Sequence, residues 1–313
     1  MFRIRTIAFL LVTFPLFVGT AEALMTSHTL ESPNKDFKLV IYIGPINDVS
    51  FGVFYKGKMI ACASKLAFEV DDDDYLPATA GFRYRQSEDQ PFPKPSKFAP
   101  TSTGPTQTRS VRNVEGQADY DEYSIKYSKR KEGVEPNYSR YNPEDHEELV
   151  NIVFRAYDNG IAYRYEIMAR GEGVITIKNE CAEFSFPDDY AVEGSVASLS
   201  KISKEHPSPL LITIPDVPTL TFGEVPHDGF ATLRFKPGRE WGDGKFNNLY
   251  DRHGEVDRTG KVTAVAINLE GDTTILGHGY QTPWRFMKFA SPDSEGMLKS
   301  LNEPSETANK GNI

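Results

Sequence analysis

The sequence predicts an all-β protein built as one large antiparallel β-sandwich, and three observations carry that prediction. Apolar residues recur with a period of two along most of the chain, the spacing of strands that present one face to a core. Short strand-like runs alternate with glycine, proline, asparagine and aspartate at turn positions, which is how stacked antiparallel sheets read. Twenty phenylalanines and fifteen tyrosines supply the bulk that an inter-sheet core needs, while no segment carries the pattern of an amphipathic helix of three turns.

The first strands are predicted at 37–43 and 49–55; Lys56-Gly57-Lys58 then turns the chain, and 59–68 returns as the second arm of a hairpin. The clearest hairpin is 149–157, the turn Asp158-Asn159-Gly160, and 161–167. In its second arm Ile161, Tyr163, Tyr165 and Ile167 share one face, with Ala162, Arg164 and Glu166 on the other. Further strands are predicted at 174–177, 182–186, 210–214, 219–222, 230–235, 262–269, 273–276 and 284–289. Residues 86–116 are rich in Pro, Ser, Thr and Gln, with few aliphatic side chains to bury. They read as a long surface loop without regular structure. The run Asp71-Asp72-Asp73-Asp74 reads as a solvated loop, because a calcium site needs carboxylates spaced by turns together with carbonyl oxygens.

Arg3 and Arg5 precede an apolar run over 7–18, and Ala21-Glu22-Ala23 places small residues where signal peptidase inspects the chain. The run is shorter than the roughly 20 residues that span a bilayer, so residues 1–23 read as a cleaved export signal. The mature chain is then expected to be periplasmic or secreted. Thirty-five basic residues against 44 acidic ones give a net charge of −9, which disfavours nucleic acid and anionic membranes as partners. Neutral carbohydrate is neither supported nor excluded by charge. Cys62 and Cys181 are the only cysteines, and they read either as one disulfide in an oxidising compartment or as two thiols on separate strands.

No Gly-x-Ser-x-Gly elbow, phosphate loop or dinucleotide fingerprint occurs. A sugar-converting acid–base pair would set a histidine and a glutamate on one pocket; His206, His227 and His278 lie at loop-like positions, but no local motif pairs them with a carboxylate. Trp241, in Arg239-Glu240-Trp241-Gly242-Asp243, is a candidate carbohydrate-binding residue because an indole face stacks on sugar rings. Arg155 and Arg164 flank the central hairpin and read first as structural, second as ligand contacts.

Several blocks occur in a fixed order. They are Ser32-Pro33-Asn34-Lys35-Asp36-Phe37, Tyr55-Lys56-Gly57-Lys58, Phe154-Arg155-Ala156-Tyr157 with Ala162-Tyr163-Arg164-Tyr165, Glu180-Cys181-Ala182-Glu183-Phe184, Pro283-Trp284-Arg285 and Leu301-Asn302-Glu303-Pro304. Together they resemble the N-terminal β-sandwich of glycoside hydrolase family 97, over 24–306 and with a polar tail at 307–313. The resemblance implies a galactose-mutarotase-like super-sandwich that packs against a catalytic (β/α)8 barrel of an α-glucosidase or α-galactosidase. That barrel is expected outside this chain. The expected function is a carbohydrate-associated accessory domain that is not catalytic alone, with an α-linked glycan or a separately encoded barrel as partner. A mutarotase-like sugar-converting enzyme and a non-functional fragment of an interrupted gene are the alternatives.

The resemblance also implies that one glutamate of the sandwich contributes to a calcium site built mainly from barrel carboxylates. Residues 209–224 look like the strand pair that delivers it, which makes Glu224 the candidate ligand, expected at the edge of an exposed surface. Calcium takes about six to eight oxygen ligands, so this position implies calcium only with a barrel partner. Two departures from the family pattern stand out: Val225 where alanine is usual, and a shortened segment before Leu301-Asn302, expected to shorten or remove a last strand.

Overall fold

Antiparallel pairing between neighbouring strands generates nearly all of the architecture. The structure, a computed structural model, describes residues 26–43, 49–64, 66–70, 74–76, 102–106, 118–131, 133–134, 143–168, 174–194, 197–202, 206–238, 263–276, 279–291 and 294–302. In chain order the strands are β1 (Thr26–Glu31), β2 (Phe37–Ile43), β3 (Val49–Tyr55), β4 (Lys58–Ser64), β5 (Phe68–Val70), β6 (Asp74–Leu76) and β7 (Ser102–Thr106). Next come β8 (Tyr120–Arg130), β9 (His146–Tyr157), β10 (Gly160–Ile167), β11 (Val174–Glu180), β12 (Glu183–Phe186), β13 (Ala191–Val192) and β14 (His206–Pro207). The last are β15 (Leu210–Thr213), β16 (Leu220–Glu224), β17 (Leu233–Pro237), β18 (Thr263–Leu269), β19 (Thr273–Leu276), β20 (Tyr280–Gln281) and β21 (Arg285–Phe289), followed by the helix α1 (Ser294–Asn302).

These strands form an eight-stranded sheet, β1-β2-β3-β4-β12-β18-β17-β14, a nine-stranded sheet, β13-β15-β16-β21-β10-β9-β8-β7 with β20 beside β10, and a four-stranded sheet, β19-β11-β5-β6. Aromatic rings fill the space between the two large sheets. Phe51 of β3 meets Phe154 of β9 at 5.4 Å and Tyr163 of β10 at 5.8 Å between centroids, while Phe184 of β12 meets Phe222 of β16 at 4.4 Å. The four-stranded sheet joins the same core through Phe68, whose ring lies 4.4 Å from that of Tyr165. The all-β sandwich is therefore the fold of this chain.

Local chemistry explains the hairpins that hold the centre. Lys56 and Gly57 have φ of 48° and 81°, the two left-handed conformations that a two-residue turn needs to match strand twist, and glycine takes the second without strain. At the other hairpin Tyr157 pairs with Gly160, so the turn is Asp158-Asn159. Gly160 serves packing instead: a Cβ there would lie 2.4 Å from the Met287 carbonyl oxygen of β21. Asp158 also accepts a hydrogen bond from the Asn34 backbone N–H at 2.8 Å, fastening the β1–β2 turn to this hairpin.

Two sequence expectations need correction. Residues 102–106 form β7, paired along β8, inside the stretch expected to lack regular structure; Thr103 and Thr106 belong to the β-compatible residues of an otherwise aliphatic-poor segment. The rest of 86–116 lies outside the described residues. The segment 59–68 splits after Ser64, so Phe68 enters a different sheet from β4. Separately, residues 294–302 form α1, so the last strand, expected to be shortened or removed, is replaced there by a helix. Met297 and Leu301, four residues apart, share one helix face and are buried against the outer side of the nine-stranded sheet. At 9 residues the helix is too short for a three-turn pattern to reveal.

A short 3-10 turn, Leu199–Lys201, is held by Asp189, whose carboxylate accepts the Ser200 N–H at 2.7 Å and the hydroxyls of Ser200 and Ser198 at 2.6 and 2.9 Å. Partial burial pushes this acid up, but those donors and Lys201 outweigh it and hold it below the ordinary aspartate value. The sign follows: the stability it contributes is full above the unfolded pKa and is lost as pH falls through the lowered folded one. We expect Asp189→Asn to flatten that acid-side limb in urea unfolding followed from neutral pH downward. An unchanged pH profile would disprove the assignment.

Candidate functional site

Alternation along β16 places Leu220, Phe222 and Glu224 on one face, and along β21 it places Arg285, Met287 and Phe289 on one face. The register pairs Leu220 with Phe289, Phe222 with Met287 and Glu224 with Arg285, so a charged pair extends an apolar ladder into the core. The Arg285 side chain is 1% exposed. Its Nε donates to Glu180 Oε2 at 2.9 Å and its Nη1 donates to Glu224 Oε2. The Tyr163 hydroxyl donates to Glu180 Oε1 at 2.9 Å, and the Leu233 backbone N–H donates to Glu224 Oε1 at 2.7 Å. Burial alone would lower the Arg285 pKa. The carboxylates of Glu180 and Glu224 outweigh it, leaving the net shift upward and the cation fully charged.

Glu180 reaches this position through a bulge. On β11 Ile175 and Ile177 are buried, which by strict alternation would turn Asn179 inward. The register against β5 shifts between Ile177 and Asn179, and Glu180 becomes the inward residue, with no exposed surface. Arg285 therefore ties the nine-stranded sheet to the four-stranded one. The sequence singled out Glu224 alone; Arg285, Glu180 and Tyr163 stand in blocks that carry the family resemblance, with no role read for the three together. Glu224 was expected at the edge of an exposed surface. Its side chain is 7% exposed and faces the core, because it shares the Phe222 face of β16.

The opposite face of the nine-stranded sheet carries a second cluster. Trp284 lies under two guanidinium groups, with the Cζ of Arg155 and that of Arg164 each 4.5 Å from its ring centre; Arg155 also sits 4.2 Å from the Tyr120 ring. Arg155 Nε donates to Glu122 Oε2 at 2.7 Å, and Arg164 Nη2 donates to Glu166 Oε1 at 2.6 Å. Burial dominates for Arg164 and lowers its pKa, although Glu166 opposes the shift; for Arg155, Tyr157 and Glu122 overcome burial and the net shift is upward. Both arginines are thus engaged in structural pairs. Beside them a pocket of about 230 Å3 is bordered by Arg164, His227, Gln281, Trp284 and Asn302, with Val225, Pro226 and Pro283 as apolar wall.

The other candidates fall apart spatially. Cys62 and Cys181 are not joined by a disulfide. Cys62 pairs across the ladder with Ser185 on β12, while Cys181 precedes that strand. His206 Nδ1 lies 2.9 Å from the Pro207 carbonyl oxygen and His227 Nδ1 lies 3.1 Å from that of Asp228; among the described residues no carboxylate is brought to either ring. Trp241, His278 and Asp71 to Asp73 lie outside the described residues.

Stacked antiparallel sheets around an aromatic core, tied by a buried ion cluster, define a large β-sandwich domain. The family model described as glycosyl-hydrolase 97 N-terminal matches residues 30–304, and the chain belongs to that family. No curated protein matches it by sequence. Among solved structures it is similar to a variant of a Glycoside Hydrolase Family 97 enzyme from Pseudoalteromonas sp. strain K8, with a TM-score of 0.53 at 16% identity over 89% of this chain and 38% of that one. The enzyme from the same strain in complex with acarbose gives 0.51 at the same identity and coverage. A β-arabinopyranosidase gives 0.50 at 14% identity over 84% of this chain and 40% of that one. At such identities the likeness shows the fold alone, and this chain spans about two-fifths of the length of those enzymes.

Removing the shared cation is the sharpest test of the cluster. Arg285→Met leaves Glu180 and Glu224 facing one another in the interior, and we expect it to cost about 3–5 kcal/mol in urea unfolding. A loss within about 0.5 kcal/mol, the scale of surface substitutions, would show that the cluster does not hold the sheets.

Proposed function

We propose that this chain is a carbohydrate-associated accessory domain that works beside a catalytic (β/α)8 barrel. The observation that carries this reading is the family match over 30–304 combined with similarity to family 97 enzymes of which the chain spans only 38%. Binding and docking fall to the sandwich in this reading, and acid–base chemistry falls to the barrel. An α-linked glycan is the ligand, and the pocket beside α1 is where a sugar residue contacts the domain. Its chemistry suits that role: Gln281 and Asn302 offer planar hydrogen-bonding groups to hydroxyls, while Val225, Pro226 and Pro283 offer an apolar wall to the C–H face of a ring. At about 230 Å3 it falls below the roughly 300–1,000 Å3 of ordinary ligand sites, so it takes one ring and not a chain of them.

Acarbose, bound in the Pseudoalteromonas structure, is the probe. Titration calorimetry of the purified chain is expected to give a Kd of about 1 mM, roughly −4 kcal/mol. The double substitution Gln281→Ala and Asn302→Ala should abolish that heat. Absence of heat with the unsubstituted chain, or heat that survives the double substitution, would remove the glycan contact from this pocket.

Export belongs to the same proposal, resting on Arg3, Arg5, the apolar run over 7–18 and Ala21-Glu22-Ala23. Protein recovered from the periplasm or medium should begin at Leu24 by N-terminal sequencing. A protein retained in the cytoplasm with its leader intact would overturn it.

A further inference from the structure

We infer that Glu224 is the fixed counterion of Arg285 and does not serve as a calcium ligand in this chain. The family resemblance implies the opposite role, but the residues present do not meet what calcium requires. A calcium ligand must turn oxygen lone pairs toward a shared point where about six to eight oxygens converge. Both Glu224 oxygens are already committed to donors: Oε2 to Arg285 Nη1, and Oε1 to the Leu233 backbone N–H at 2.7 Å. A divalent cation on either oxygen would stand beside a fully buried guanidinium, in an interior where like charges are weakly screened.

The neighbours do not help the ion either. Glu180 is the nearest second carboxylate, and it is held by Arg285 Nε at 2.9 Å and by the Tyr163 hydroxyl at 2.9 Å. Leu233 presents an N–H, a donor, where a metal site needs acceptors. Among the described residues no three His, Cys, Asp or Glu side chains gather closely enough to hold a metal ion. Releasing Glu224 to an ion would also leave Arg285 with one counterion in the core, which the folded state resists. The same carboxylate thus has a structural occupation, one donor on each oxygen and a buried cation beside it, and its substitution is a question of stability and not of metal affinity.

The test compares the full chain and Glu224→Gln by thermal melting and calorimetric titration, each in millimolar calcium chloride and in EDTA. The unsubstituted chain should melt at the same temperature in both, and Glu224→Gln should melt lower by the same interval in both. Calcium that raises the melting temperature of the unsubstituted chain, with the rise lost in Glu224→Gln, would overturn the inference; so would a Glu224→Gln melting temperature in EDTA equal to that of the unsubstituted chain. A calcium response that persists in Glu224→Gln belongs to another site and leaves Glu224 as the counterion. Should Glu224→Gln fail to fold, Glu224→Asp takes its place, keeping the charge while shortening its reach to Arg285. The acarbose titration proceeds independently, so failure of the glycan reading is distinguishable from failure here.

Discussion

Placing a guanidinium between packed sheets obliges the surrounding strands to deliver acceptors to it, because an isolated buried charge costs far more than any nearby hydrophobic contact returns. Arg285 draws Glu224 from the adjacent strand β16 and Glu180 from β11, and Glu180 in turn takes the hydroxyl of Tyr163 on β10. Four strands in two sheets are therefore positioned by one cation. The bulge in β11 follows from the same demand, since strict alternation would have turned Glu180 away. Packing of Phe68 on Tyr165 supplies apolar contact along the same seam, but aromatic contact alone does not fix a register.

The strands β10 and β21 have no solvent face to spare. Tyr163, Tyr165, Arg285 and Met287 serve the inter-sheet core, while Ala162, Arg164, Trp284 and Phe286 serve the cluster beneath α1. Arginines on both sides solve different problems. Inside, Arg285 joins sheets through carboxylates. Outside, Arg155 and Arg164 lie over Trp284 and keep their own glutamates, so a polar layer extends the apolar cluster that α1 covers. This double use fills both faces at the centre of the nine-stranded sheet, and a small pocket opens at its margin, near Asn302 and His227.

That arrangement bears on how an accessory domain relates to an enzyme. The charged groups nearest the family-implied metal position are consumed in holding the sandwich together, so the proposed contribution to carbohydrate chemistry is surface contact.

Much of the fold was legible because period-two alternation needs only local sequence. The hairpin over 149–167, the two faces of its second arm, and the turn at Lys56-Gly57 all follow from residues adjacent in the chain. The family membership was likewise legible, from short blocks in fixed order. The α1 helix and β7 escaped, one because nine residues hold too few repeats, the other because its composition resembles a loop and pairing with β8 decides it. At the candidate site, sequence singled out Glu224 by comparison but gave the wrong surroundings. Its depth was set by which face of β16 meets the opposite sheet, and Glu180, which shares Arg285 with it and lies 44 positions earlier in the chain, was set by the bulge in β11. The sequence by itself determined strands, faces and family, since those depend on spacing along the backbone. Only the tertiary structure decided that Glu224 answers Arg285, because the energy of a buried charge depends on what other strands bring to it.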